Sequence, residues 1–163
     1  MTDIRELAKR FPIPTRREIE AVLDIIVRRL EKEVVEETPR GVSAEGGLAG
    51  AVFGEVVTQG DKVTGIVGNP VPYGEVIERG RRPGKRRPPI EPLIPWVRSK
   101  LGISDEKEAR GIAYVIAKKI GMSGFKTIPE GAKMFQKAWN KNESWVQGQL
   151  RTLPERIVRK VTG

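Results

Sequence analysis

Apolar positions set the first element. Ile19, Val22, Leu23, Ile26, Val27, Leu30 and Val34 recur at the three-and-four spacing of one helical face, with Arg16, Arg17, Glu20, Asp24, Arg28, Glu31 and Lys32 mostly off it. Thr15 followed three residues later by Glu18 has the form of a capping box, and Pro39 and Gly41 supply a stop. The pattern predicts an N-terminal helix over 14–40 whose stripe faces a core. GVSAEGG at 41–47 reads as a connector. Leu48 to Thr58 and Lys62 to Asn69 are rich in β-branched residues and read as two strands, a hairpin over 48–69 turning at Gly60-Asp61. Gly50, Gly54, Gly65 and Gly68 punctuate those strands; glycine weakens a strand and permits bulges or close backbone approach, which is less of a liability where a neighbouring subunit completes the sheet. Asn69 to Pro72 is a turn, and Tyr73 to Glu78 is a short segment after it.

The period then changes. Gly80, Pro83 and Gly84 keep residues 79–90 a loop, and residues 91–163 read as helical. Glu91 to Leu101 is a helix with Pro92 in its first turn and Gly102 as its stop. Ser104 is a cap for the next, where Ala109, Ile112, Ala113, Ile116, Ala117 and Ile120 repeat at helical spacing and Gly121 closes the run. Gly124 to Pro129 is a loop. A final helical stretch from Gly131 to about Val161 breaks near Pro154. Trp96, Trp139 and Trp145 are assigned to core packing by default. Helix, hairpin, loop and helices in that order make an α+β protein, and 163 residues suggest a single domain over 1–163.

Composition removes most chemistry. There is no cysteine and no histidine, which excludes thiolate metal sites, ordinary zinc sites and every Ser-His-Asp or Cys-His nucleophile system. Glu36-Glu37 and the cluster Asp105, Glu106, Glu108 lack the supporting groups a carboxylate enzyme needs, and read as solvated helix ends. GGLAG does not open a helix after a strand and cradles no phosphate. The apolar runs are too short to span a membrane, and MTDIRELAKRF lacks the apolar core of a signal peptide. The expectation is a soluble, cytoplasmically made protein with no metal, no cofactor and no catalytic residue.

Charge adds a pattern. The net charge is +9, and its signs are segregated. Residues 41–78 carry one basic and five acidic side chains, and residues 79–100 carry eight basic and one acidic. Six of the nine residues from Arg79 to Arg87 are basic, namely Arg79, Arg81, Arg82, Lys85, Arg86 and Arg87. Such a run suits polyanions, yet no aromatic residue is interleaved in it for base stacking. It equally suits copies of one protein meeting head to tail, or an acidic partner surface. From residues alone a solvated loop, a protein partner and nucleic acid all stay open.

Two phrases narrow the choice. One is Pro72-Tyr73-Gly74-Glu75-Val76-Ile77-Glu78-Arg79-Gly80. The other is PPIEPLIPWVRSKLG, from Pro88 to Gly102. With Thr38-Pro39, Gly47-Leu48 and the hairpin, they resemble the tail-completion, or head–tail joining, proteins of long-tailed bacteriophages and prophages. The resemblance covers Glu18 to Lys119. Glu45-Gly46-Gly47 stands where relatives carry Asp-Thr-Gly, and Gly74 and Ile77 also depart from the usual pattern, which leaves the subfamily open.

The resemblance implies a structural virion protein and not an enzyme. Its implied fold is a small twisted antiparallel sheet flanked by helices, as in tail-tube and tail-terminator proteins. Its implied assembly is a hexameric ring at the head–tail interface. The implied partners are further copies of itself, the head connector, and tail-tube or tail-terminator proteins, with non-specific contact to genomic DNA in the channel and no membrane. On that reading Arg79, Arg81, Arg82, Lys85, Arg86 and Arg87, with Tyr73, Glu75 and Glu78, form a subunit or partner interface. A tail terminator is the near alternative, and a basic DNA-binding protein is the alternative of another class.

Overall fold

The computed structural model describes residues 4–39, 47–81, 83–84, 86–124 and 130–162. Most of the connector, the basic residues Arg82 and Lys85, and nearly all of the loop Gly124–Pro129 lie outside these. In chain order the elements are α1 (Ile4–Arg10), α2 (Pro12–Glu37), α3 (Gly47–Gly50), β1 (Phe53–Gln59), β2 (Lys62–Gly68), α4 (Gly74–Arg79), α5 (Leu93–Leu101), α6 (Glu106–Ser123), α7 (Met134–Arg151) and α8 (Leu153–Thr162). The fold is α+β, a two-stranded antiparallel sheet flanked by helices. The chain divides into two compact units, residues 1–33, 53–68 and 138–163 in the first and 34–52 and 69–137 in the second.

The first unit is built on the predicted stripe. Val22 and Ile26 of α2 pack with Leu7, Val146, Leu153 and Ile157 from α1, α7 and α8. Each such side chain, once buried, contributes about 1.5–3 kcal/mol. Thr15 is not the cap of α2, because the helix starts at Pro12, whose missing N–H costs nothing in a first turn. Thr15 is buried one turn inside, and its hydroxyl donates to the Leu7 carbonyl at 3.3 Å. Glu18 faces Lys160 at 3.4 Å instead of closing a capping box.

The hairpin lies on α2, and this explains its glycines within one chain. A Cβ on Gly54 would sit 2.6 Å from Val27 Cγ1, and one on Gly65 would sit 2.7 Å from Val27 Cγ2. The absent side chains let the sheet approach the helix closely. Gly68 pairs with Phe53 and lies beneath its ring. The turn at Gly60-Asp61 is as expected, with Gly60 at φ +59°. Strand β1 begins later than the sequence suggests. Leu48 is fully buried in the single turn α3, where Asn69 Nδ2 donates to its carbonyl at 2.6 Å. The β-branched run starts only at Val52.

A polar network joins α2 to α7 in this unit. Arg29 Nε donates to Asn142 Oδ1 at 2.6 Å, and its guanidinium lies 4.3 Å from the Trp145 ring centroid. Lys141 Nζ donates to Glu33 Oε1 at 2.7 Å. The Lys141 hydrogen bond and charge, with Asn142 and Arg29, hold the Glu33 carboxyl below its usual 4.5, against the upward push of burial. Asn142 is buried, and its Nδ2 donates to the Ala138 carbonyl.

In the second unit, Val97 of α5 packs against Ala109 and Ala113 of α6, with Trp96, Ile112 and Ile116 around them. The small residues Ala109, Ala113, Ala117 and Gly121 keep the buried stripe of α6 thin. Asp105, not Ser104, caps this helix, accepting from the Glu108 N–H at 2.7 Å, since a carboxylate also meets the positive helix end. Helix α6 runs through Gly121 to Gly124, whose φ of +67° forms its C-cap. The α7–α8 break falls at Thr152, with Pro154 in the first turn of α8, close to its expected place.

Candidate interaction surface

The basic loop is positioned by its two ends. At its start, the last carbonyls of α4 find donors outside their own helix. The Ala132 N–H donates to the Ile77 carbonyl at 2.7 Å and the Lys133 N–H to the Glu78 carbonyl at 3.1 Å. The Glu78 carboxylate returns the favour, accepting from the Phe135 N–H at 3.2 Å and the Gln136 N–H at 3.4 Å at the start of α7. Each helix end thus satisfies the orphan groups of the other. At the far end of the loop, Pro92 opens α5, and Glu91 reaches Arg110 of α6 at 3.8 Å.

Between those ends the loop is fastened along α6. The Gly84 N–H donates to the Gly121 carbonyl at 3.1 Å, and Arg87 stacks 4.5 Å from the Tyr114 ring centroid. Gly84 takes φ +76°, a conformation that favours glycine. At Gly84 and Arg87 the chain is therefore held against α6, whose Lys118 and Lys119 are exposed, as are Arg86 and Arg87.

The nine residues expected at an interface separate in this geometry. Arg86 and Arg87 are exposed on the loop. Arg79 is exposed and pairs with Glu75 at 3.2 Å across one turn of α4. Arg81 is half-buried, its Nε shielded from solvent and without a hydrogen-bond partner among the described residues. Tyr73 stands half-buried at the start of α4. Glu78 is turned to the α7 N-terminus. Arg82 and Lys85 lie outside the described residues.

Sequence reasoning missed Tyr114, Lys118, Lys119 and Gly121. The absence of an aromatic within the loop counted against base stacking, yet α6 brings one to it. Tyr114, Val115 and Met122 fall off the buried α6 stripe, and that misfit was a readable signal of a second apolar face. Trp139 also departs from its core assignment, standing 45% exposed on α7.

Among the described residues no group of three or more acidic side chains gathers as a metal site, and no helix is long and apolar enough to cross a membrane. Comparison with known proteins finds no matching family model, no matching curated protein and no matching solved structure.

Proposed function

We propose that this chain is a structural virion protein that joins the tail of a long-tailed phage to its head connector, acting as an oligomeric ring. The observation that carries the reading is the loop Arg79–Arg87. Its residues Arg79, Arg86 and Arg87 are exposed, and it is tied to α6 by the Gly84–Gly121 bond and the Arg87–Tyr114 stack. Contacts that hold Gly84 and Arg87 before a partner arrives lower the entropy lost on docking. The phrase Pro88–Gly102, which carries the resemblance most specifically, forms the base of that loop and the α5 helix packed on α6. A tail terminator is the near alternative within the same reading.

The test is complementation. Arg86→Glu/Arg87→Glu should remain folded, because both side chains are exposed, and should fail to restore joining to a phage lacking the gene. Arg81 is left intact in this variant because its Nε is shielded. Full restoration of joining would overturn the role given to the loop.

A second reading, sequence-independent contact with DNA, is favoured by one observation. Tyr114 gives Arg87 the aromatic neighbour that the loop lacks in sequence. Duplex binding with a steep salt slope, and no association with particles, would support it.

A further inference from the structure

The outward face of α6 carries exposed apolar side chains. Val115 is 63% exposed and Met122 68%, one heptad apart on an 18-residue helix, and Tyr114 is 44% exposed beside them. Gly111 lies one turn before Val115, with open space where a Cβ would stand. A mid-helix glycine costs roughly 0.5–1 kcal/mol against alanine, and no close contact among the described residues uses the space. Along the 114–122 half of this strip the charge is of one sign, while Glu108 stands on the same face one heptad before Val115. Arg81, Arg86, Lys118 and Lys119 pair with no carboxylate among the described residues, and Arg87 only stacks on Tyr114. The acidic residues of α6, Glu106 and Glu108, sit in its first turn. Glu108 therefore bounds the strip at its Gly111 end, about 10 Å along the axis from Val115.

We infer that this face, with Arg86 and Arg87 at its rim, seats an acidic amphipathic helix of a partner protein. The inference rests on the assembly reading in taking a protein as the occupant. Phosphates alone would neutralise the cations and leave Val115 and Met122 wet. A helix bearing apolar anchors at three-and-four spacing with flanking carboxylates satisfies both features, and Gly111 lets its backbone come close. Met122 is suited to such a face because its side chain adapts to what it meets.

The test is fluorescence anisotropy on the full chain. The probe is a labelled peptide of about 18 residues, with leucines at helical spacing on one face and glutamates on the other. The peptide should bind the native chain. Val115→Glu/Met122→Glu should weaken binding about tenfold or more, and so should Lys118→Glu/Lys119→Glu. A version with lysines for glutamates should bind the second variant. All four positions are exposed, so thermal unfolding of both variants should match the native chain. Peptide binding indifferent to Val115 and Met122 would overturn the inference. So would a DNA duplex that binds where the peptide does not, which would assign the face to nucleic acid. Complementation separates this outcome from the joining role. If Val115→Glu/Met122→Glu restores joining, the acidic helix fails while the joining role stands. If loss of the gene leaves particles intact, the joining role fails, and the peptide titration still decides the occupant.

Discussion

Gly131 shows how a single residue governs the site. Its φ is +86°, and a Cβ there would overlap the backbone of Glu78, Arg79 and Gly80 at the end of α4. Gly84 also has a positive φ, but open space surrounds its Cβ position. Gly131→Ala should therefore destabilise by clearly more than about 1 kcal/mol, and Gly84→Ala by about that amount. Urea unfolding of the two variants checks the order. Glu33 gives a pH signature. Its folded pKa lies below 4.5 because Lys141, Asn142 and Arg29 favour the carboxylate. A depressed carboxyl stabilises the fold above its unfolded pKa, and that contribution is lost as pH falls through the folded value. The stability gap between the native chain and Glu33→Gln should thus be full near pH 7 and close on acidification, read from urea midpoints at the two ends. These residues were hidden in the sequence for a physical reason. Glu33 and Lys141 are 108 positions apart, and helical periodicity reports a face without naming what lies opposite it.

At the scale of elements, the hairpin on α2 is the informative case. Strand glycines usually weaken a sheet, and here Gly54 and Gly65 make room for Val27. Gly65→Val should cost about 1–3 kcal/mol by overpacking. In the Val27→Ala background the cost should shrink, because the group it strikes is gone. A double-mutant cycle by thermal unfolding measures that coupling, and additive effects would contradict the close approach. The α2 stripe and the hairpin turn were legible because their signals are local and periodic. The start of α2 was not, because Thr15-x-x-Glu18 has the form of a cap while Thr15 in fact serves the Leu7 carbonyl. Leu48 was read as strand from the β-rich run after it, although Gly47 at φ +48° turns the chain there into α3.

At the scale of the whole molecule, the net charge of +9 is organised and not diffuse. Many cations elsewhere are matched, as in Arg28 with Glu31, Lys141 with Glu33 and Lys160 with Glu18. Among the described residues, Arg81, Arg86, Lys118 and Lys119 pair with no carboxylate. The basic loop was visible in the sequence as a composition. Its fastening to α6 was not, since the Gly84–Gly121 and Arg87–Tyr114 contacts join segments with no shared pattern. Segregated charge on a loop tied to α6 at Gly84 and Arg87 is what the joining account builds on. Electron microscopy of lysate from a phage with this gene inactivated tests that account most directly. The account predicts DNA-filled heads beside unattached tails of normal length. Overlong tails would move the role to a terminator, and intact infectious particles would contradict it.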